Sequence, residues 1–149
     1  SVAVGEPFIV GLGVDTSLRA GRELVDKTEG ESWGDKVMTF TYQPVIENFG
    51  AKPAKLRLYE RIPVAAKEKE NDIKITLVKS DAGLSTDALY EQSQKKKGLL
   101  RWDVEVPAQS ISPNAFTLEY QYRIQYDKQM VLTGPPTMDE RAFRQMLGR

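Results

Sequence analysis

The chain has 149 residues, of which 40% are hydrophobic and 28% charged, the size and composition of one globular domain. Lys and Arg together number 21, as do Asp and Glu, so a net charge of zero provides no general attraction to nucleic acid or to an anionic membrane. The chain contains neither Cys nor His, which excludes disulfides, thiol nucleophiles, the usual zinc ligands and the usual base of a serine hydrolase.

The N-terminal part carries the longest apolar run, Phe8 to Val14, and two of its seven residues are glycine. A transmembrane helix needs about 20 apolar residues, so we predict no membrane insertion by this segment. The chain opens on Ser1 and shows no signal peptide, so we expect a mature or excised piece of a longer protein.

Alternating apolar and polar residues predict an all-β fold, an antiparallel, immunoglobulin-like β-sandwich of about seven strands. The first two strands are expected near Phe8 to Leu12 and Leu18 to Val25. The third is interrupted by Pro44, and because proline cannot donate to a ladder, this strand should be an edge or be bulged there. Its apolar face consists of Met38, Phe40, Tyr42 and Ile46.

The later strands each have one apolar and one polar face. Their apolar faces are Ala54, Leu56, Leu58 and Ile62; Ile73, Ile75 and Leu77; Leu100, Trp102, Val104 and Val106; and the even positions from Phe116 to Tyr126. The outward face of the first of these strands consists of Lys55, Arg57, Tyr59 and Arg61. This pattern places Trp102 in the core.

Turn-forming residues separate the strands. The segments Lys27 to Lys36 and Phe49 to Pro53 are rich in such residues and predict hairpins. Lys79 to Gly98 is a long polar connection in which Ser85 could start a short helical turn. We predict one β-sandwich domain over residues 1–133.

Residues 134–149 form a Pro-Gly linker and a short amphipathic helix in this prediction, since Thr137 and Glu140 match a capping box. The apolar face of the helix, a predicted partner contact, consists of Met138, Ala142, Phe143, Met146 and Leu147. A helix of about ten residues is marginal alone in water. It is therefore expected to pack on its own sandwich, on a neighbouring subunit or on another domain of the parent protein.

Three groups of charged residues are better explained as solvated surface than as sites. They are Glu68, Glu70 and Asp72; Lys95 to Lys97; and Asp103 with Glu105. The first lacks the glycine-turned loop of a calcium site, and the second lacks the interleaved aromatic residues of a nucleic-acid surface. The third faces outward, whereas a glycosidase needs two carboxylates across a cleft. We therefore predict no catalytic residue, no metal site, no cofactor and no nucleic-acid partner.

Trp33 is the main candidate for ligand binding. It lies in a predicted hairpin tip, Glu31 to Gly34, and a surface indole can stack on a sugar. Packing onto neighbouring loop atoms is an equal alternative.

The order of several short segments carries a family resemblance. They are GLGVD (11–15), RELVDK (22–27), FTYQPVIENFG (40–50), LYERIPV (58–64), IKITLV (73–78), GLLRWDVEVP (98–107) and YQYRIQY (120–126). Their order resembles the C-terminal domain of unknown function in the bacterial mucoidy-inhibitor A family. The resemblance implies a β-sandwich preceded by another β domain and a coiled-coil insertion, a periplasmic or cell-envelope location, and no established catalytic residue. The chain departs from the family at Pro44 and after Asp127.

Together these features favour a non-enzymatic structural or protein-interaction domain of a larger bacterial cell-envelope protein. Its partner would be another protein or other domains of the parent chain. A carbohydrate-binding module is the alternative, and it requires Trp33 and other surface aromatics to line one groove. A carboxylate-based hydrolase comes third and requires buried, clustered carboxylates with raised pKa values. The oligomeric state stays open.

Overall fold

A computed structural model describes residues 7–12, 17–69 and 72–129. The predicted linker and helix of residues 134–149 lie outside the described residues. So do the predicted contact residues Met138, Phe143, Met146 and Leu147.

The described residues form eight strands in two antiparallel sheets, which confirms the predicted all-β sandwich. The strands are β1 (Phe8–Gly11), β2 (Leu18–Ser32), β3 (Asp35–Asn48), β4 (Ala54–Arg61), β5 (Ile73–Ser80), β6 (Leu99–Val106), β7 (Phe116–Thr117) and β8 (Tyr120–Asp127). One sheet has the order β1-β4-β6, and the other has the order β2-β3-β8-β5 with β7 paired to β3. Short helical turns cover Lys67–Lys69, Tyr90–Gln94 and Lys95–Lys97.

The core lies between the sheets, and Trp102 of β6 is fully buried in it as predicted. Its ring lies 5.4 Å from that of Tyr120 on β8, measured between centroids. The indole Nε1 donates to Ser80 Oγ at 2.8 Å and to the Ala82 carbonyl at 3.1 Å. Because a buried Trp needs a partner for its N–H, these bonds let the indole fill the core without a desolvation penalty.

Pro44 lies in a central strand, so the expectation of an edge strand is wrong, and the pairing with β2 has no bulge at Pro44. On one side Pro44 pairs with Arg22 of β2. On the other side the β8 ladder ends at Tyr42, the β7 ladder begins at Val45, and Leu118 N donates to the Pro44 carbonyl at 3.2 Å. The N and O of one strand residue point the same way, so the missing donor falls in the gap between β8 and β7. The fold accommodates the proline by dividing its partner strand.

The segment Phe49 to Pro53 is not a hairpin, because it carries the chain from β3 in one sheet to β4 in the other. The buried Asn48 side chain holds this crossover. Its Nδ2 donates to the Lys52 carbonyl at 2.9 Å and to the Val106 carbonyl at 3.3 Å, and its Oδ1 accepts from Gly50 N at 2.9 Å. Turn-forming residues indicate a change of direction, but they do not specify which sheet the next strand joins.

The outer face of the three-stranded sheet is partly covered, and Tyr59, predicted to face solvent, is buried there. Tyr59 and Leu99 form a second small core on which Phe8 and Val10 pack. The Phe8 and Tyr59 rings lie 6.1 Å apart between centroids. The alternation pattern did not show that β1 pairs with β4 in the same sheet, where Phe8 lies directly opposite Tyr59 and packs beside it on this face.

The long connection before β6 contains a helical turn, but Asp87 rather than Ser85 caps it. Asp87 Oδ2 accepts from Tyr90 N at 3.1 Å, while Ser85 Oγ accepts from Asp87 N at 3.1 Å. The turn presses Tyr90 against the free edge of β6. There the phenol donates to the Leu99 carbonyl at 2.8 Å and accepts from Arg101 N at 3.2 Å.

Candidate functional site

The β2–β3 hairpin ends in the two-residue loop Trp33-Gly34, closed by the pair Ser32 and Asp35. Both loop residues have positive φ, 51° for Trp33 and 86° for Gly34. Such loops match the twist of antiparallel strands, although a positive φ is uncommon for a bulky residue. Trp33 is 101% exposed. The structure therefore places Trp33 at the tip, as predicted, and its part in binding stays a prediction.

Trp33 does not share a groove with the other exposed aromatic residue of the described segments, Phe49. The two lie beyond opposite ends of β3, which has 14 residues. A strand of that length spans roughly 45 Å. A sugar-binding groove needs rings that lie side by side, so the pair does not form one.

The strand β2 is an edge strand of the five-stranded sheet, and it is 15 residues long. From Glu23 to Glu31 all nine successive residues are exposed, so neither face of this part of the strand is covered by described residues. Strands of globular proteins usually have five or six residues. A long edge of this kind is a template for pairing with another strand.

The backbone groups on the free side of β2 follow from the hairpin. A two-residue loop is closed by a hydrogen-bonded pair, here Ser32 and Asp35, so alternate residues back along β2 also bond to β3. The intervening Lys27, Glu29 and Glu31 then direct their N–H and C=O groups to the free edge. Within the described ranges, no hydrogen bond joins these groups to another segment.

The edge of β6 differs from that of β2. Its Arg101 carbonyl accepts from Ser85 N at 2.7 Å, and Tyr90 covers the neighbouring backbone groups. This is the usual protection of a sheet edge by a connecting segment. Among the described residues, β2 has no comparable cover.

A β-bulge lies in β2 where the register shifts between Leu24 and Asp26. The extra residue, Val25, reverses which residues face inward. Before the bulge Arg22 faces the core, and after it Lys27 does, with Nζ 5.6 Å from the centroid of the Phe40 ring. Leu24 and Val25 are both about half exposed, so the bulge presents apolar surface beside the charged edge.

A cavity of about 230 Å³ adjoins the inner face of the hairpin beyond the bulge. Its lining residues are Glu29, Gly30, Glu31, Lys36, Val37, Met38 and Tyr126. It thus combines two carboxylates and an ammonium with an apolar floor. It extends from the edge strand β2 across β3 to β8, and it is large enough to receive a side chain.

Arg22, at the base of the exposed part of β2, belongs to a buried cluster that joins the two sheets. Its guanidinium donates to Glu60 Oε1 of β4 at 2.9 Å, and Tyr120 Oη of β8 donates to the same oxygen at 2.6 Å. The side chain of Glu60 is 1% exposed and that of Arg22 18%. The guanidinium carbon of Arg22 also lies 4.3 Å from the centroid of the Tyr42 ring. We call Arg22, Glu60, Tyr120 and Tyr42 the inter-sheet cluster.

The pKa values of Glu60, Arg22 and Tyr120 are shifted within this cluster. Burial raises the pKa of Glu60 and outweighs the opposing effects of Arg22 and Tyr120. Glu60 Oε2 contributes to this, since it is buried with no hydrogen-bond partner among the described residues. Burial disfavours the charge of Arg22, but attraction to Glu60 prevails and raises the pKa of Arg22. The pKa of Tyr120 is also raised, by burial and by the adjacent carboxylate.

Glu60 was not among the sequence candidates, although a signal for it existed. The predicted inward face of β4 proceeded from Leu58 to Ile62 and omitted the position between them. Strict alternation places Glu60 inward, in register with Leu56 and Leu58. A charged residue at an inward position is the pattern that indicates a buried polar cluster.

The other charged residues considered in the sequence are on the surface where they are described: Glu68, Asp72, Lys95–Lys97, Asp103 and Glu105 are exposed, and Glu70 lies outside the described residues. No group of three or more Asp or Glu residues close enough to hold a metal ion occurs in the described part of the chain. Within the same ranges, none of the helical segments has the length and apolar character that crossing a membrane requires.

A second cavity, of about 290 Å³, lies where the β4–β5 connection meets the turn before β6. Its walls are Ile62, Pro63, Val64, Ala65, Ile73, Ile75, Lys95, Lys96 and Gly98. Lys95 and Lys96 are both exposed. Neither cavity includes Glu60.

Comparison with known proteins yields one family. A family model described as a domain of unknown function, DUF4139, matches residues 2–128. No curated protein and no solved structure matches the chain.

Proposed function

The chain belongs to the DUF4139 family, and from that premise we propose that it is a non-enzymatic structural or protein-interaction domain whose β2 edge binds a protein partner by strand addition. The observation that carries the proposal is the exposure of nine successive residues, Glu23 to Glu31, on an edge strand whose outer side pairs with no other described strand. In strand addition, main-chain hydrogen bonds supply affinity, and pockets for alternate side chains supply specificity.

Two further features of the hairpin support this proposal. The cavity lined by Glu29 and Glu31 begins at the edge strand and extends over β3 to Tyr126 of β8, so a long side chain of an added strand could enter it across β2. Trp33 projects from the tip of the same hairpin, and tryptophan is enriched among residues that dominate binding energy at protein interfaces. Because Trp33 stands apart from other exposed aromatics, its position favours a protein contact over a sugar contact.

The inter-sheet cluster supports a structural rather than a catalytic role for Glu60. Glycoside hydrolysis by carboxylates uses a pair of Asp or Glu residues on either side of the substrate bond. The hydrogen-bond donors on Glu60 are instead a guanidinium and a phenol, both inside the sandwich. The Glu60 carboxylate connects β4 to β2 and β8. Through Arg22 it therefore fixes the start of the exposed part of β2 to the core.

The order of the short segments supports a parent protein of the mucoidy-inhibitor A type, in which this chain is an immunoglobulin-like domain in the periplasm or cell envelope. In that setting the β2 edge would contact another chain or another domain of the parent protein. The linker and helix predicted for residues 134–149 would add a second contact beside it.

Photocrosslinking in the producing cells tests the proposal. We place p-benzoylphenylalanine at Glu31, beside the free edge, and as a matched control at Arg123, which is exposed on the central strand β8. We expect a protein adduct from Glu31 and none from Arg123.

Replacing Glu29 by proline should abolish the Glu31 adduct. The N–H of Glu29 points to the free edge, so proline removes an edge donor and leaves the bonds between β2 and β3 in place. Absence of an adduct at Glu31, or an adduct that Glu29→Pro does not affect, would contradict the proposed function. Circular dichroism of the purified Glu29→Pro protein shows whether the fold is retained.

A further inference from the structure

We infer that the strand added to β2 is β2 of a second copy of this chain, so that two domains join their five-stranded sheets edge to edge around Thr28. This inference rests on the proposed function, since it names the partner of the same edge. It is carried by the pattern of charges on β2 and by the direction of its backbone groups.

The charges on β2 are self-complementary. Two antiparallel β2 strands related by a two-fold axis at Thr28 place Lys27 of each copy opposite Glu29 of the other. Lys27 and Glu29 face the same side of the sheet, because both follow the bulge and pair with the inward-facing Phe40 and Met38. Opposite charges at directly facing positions stabilise an antiparallel pair. The symmetry produces this pairing twice.

The neighbouring symmetric registers are unfavourable. In an antiparallel pair, directly opposite residues point to the same face of the sheet. The two-fold axis must therefore pass through a residue position, because an axis between two positions would pair residues that point to opposite faces. Moving the axis to Lys27 places two ammonium groups opposite each other, and moving it to Glu29 does the same with two carboxylates. Like charges directly opposite destabilise a pair. The register centred on Thr28 is thus selected over those on either side.

The backbone groups agree with the same register. Lys27 and Glu29 direct their N–H and C=O groups to the free edge, so they form hydrogen-bonded pairs across the two-fold axis. Thr28 then forms the closer, non-hydrogen-bonded pair at the axis. Threonine is favoured there, because Thr–Thr pairs stabilise facing strands.

Apolar residues at both ends of the free edge fit this pairing. With the axis at Thr28, Glu31 lies opposite Val25 of the second copy, the extra residue of the bulge, so the tip with Trp33 lies near the exposed Leu24 and Val25 of that copy. The dimer would therefore cover the three apolar residues that the free hairpin presents. Charges usually prevent an edge from pairing, but here their arrangement favours pairing with itself.

Sedimentation equilibrium of the 149-residue chain, from low to high micromolar concentration, tests the inference. We expect a dimer of the 16.8 kDa chain. Either Lys27→Glu or Glu29→Lys should weaken dimerisation about tenfold or more, since each converts two attractive pairs into repulsive ones. The double variant Lys27→Glu with Glu29→Lys exchanges the two charges and should restore the dimer.

Asp26→Lys is the matched control. It changes the charge of the same edge, but Asp26 lies opposite Gly30 in this register, so dimerisation should stay within about twofold of the unchanged chain. Circular dichroism of every variant separates loss of the dimer from loss of the fold.

Two outcomes would overturn the inference: a chain that is monomeric throughout the concentration range, or a dimer that the single charge inversions do not weaken. A monomeric chain whose Glu31 crosslink captures a different protein would refute the second copy as partner and leave the proposed function intact. A monomer with no edge-dependent crosslink would refute both.

Discussion

Tyr120 Oη of β8 donates a 2.6 Å hydrogen bond to Glu60 Oε1 of β4, so a phenol from one sheet meets a carboxylate from the other inside the sandwich. Arg22 of β2 donates to the same oxygen and so brings a third strand into the contact. A buried carboxylate is costly unless charge and hydrogen bonds compensate it. The stability of the fold should therefore depend on each of the three partners.

Replacing Arg22 by methionine should lower the free energy of unfolding by about 3 kcal/mol, because it leaves the Glu60 carboxylate buried without its counter-ion. Urea unfolding measures this loss. Arg19→Met is the matched control, since Arg19 pairs with Glu47 at 3.5 Å but its side chain is 72% exposed. An exposed pair of this kind contributes about 0–1 kcal/mol. Equal losses for the two variants would show that Glu60 does not depend on Arg22.

The raised pKa of Glu60 predicts a pH dependence with a definite sign. Between the unfolded pKa, about 4.3, and the higher folded value, the folded chain binds more protons than the unfolded chain. Glu60 therefore contributes stability at low pH that is lost as the pH rises through its folded pKa. Urea unfolding at several pH values should show Glu60→Gln gaining stability relative to the unchanged chain as the pH rises. The opposite trend would mean that the attraction of Arg22 outweighs burial and holds the folded pKa of Glu60 below its unfolded value.

Gly98 cannot be replaced without displacing its neighbours. Its φ is +83°, and a Cβ there would lie 2.6 Å from the Ile62 carbonyl oxygen and 2.7 Å from Val64 Cγ1. Gly34 has a similar φ of +86°, but no atom lies within 4 Å of its Cβ position. We expect Gly34→Ala to cost about 1 kcal/mol, from the backbone conformation alone, and Gly98→Ala about 3 kcal/mol or more. Thermal unfolding of both variants measures the difference, and equal costs would contradict the close approach at Gly98.

Tyr90→Phe should open the edge of β6. Burial raises the pKa of Tyr90 to about 12, so its phenol stays protonated and donates to the Leu99 carbonyl at neutral pH. The variant leaves that carbonyl and Arg101 N without the phenol and should cost about 1–2 kcal/mol. Limited proteolysis should then cut the connection before β6 faster than in the unchanged chain. An unchanged cleavage rate would show that the phenol does not hold this connection in place.

The sequence predicted which face of each strand is buried better than it predicted which strands pair. The even residues from Leu118 to Tyr126 are buried as the alternation indicated, and Trp102 lies in the core. The prediction that Pro44 lies in an edge strand was wrong, because periodicity does not show which strands pair. It also does not show that two separate strands, β7 and β8, can pair with β3 on either side of a proline. The outward assignment of Tyr59 was wrong for a related reason, since Phe8, which packs beside it from the neighbouring strand β1, lies far from it in the sequence.

The candidate site was only partly predictable. Trp33 was assigned to the hairpin tip, but the sequence predicted strand only from Leu18 to Val25, whereas β2 continues to Ser32. Charged residues in Asp26 to Glu31 obscured the rest of the strand, because they lack the alternation of a half-buried strand. A strand segment that is exposed on both faces has no apolar face, so its sequence shows no alternation from which a strand could be predicted. The same exposure that conceals this segment from pattern analysis makes it available to a partner.

The loop Trp33-Gly34 also bears on the order in which the chain folds. It closes the long β2–β3 ladder with two residues, whereas β1–β4, β4–β6, β3–β8 and β5–β8 all join segments distant in the sequence. Closing short loops costs less entropy, so we expect the hairpin to form first and the sandwich to close upon it slowly. Stopped-flow kinetics should then show Gly34→Ala slowing folding and Gly98→Ala mainly accelerating unfolding. The edge proposed to receive a partner would then be the first part of the domain to exist during folding.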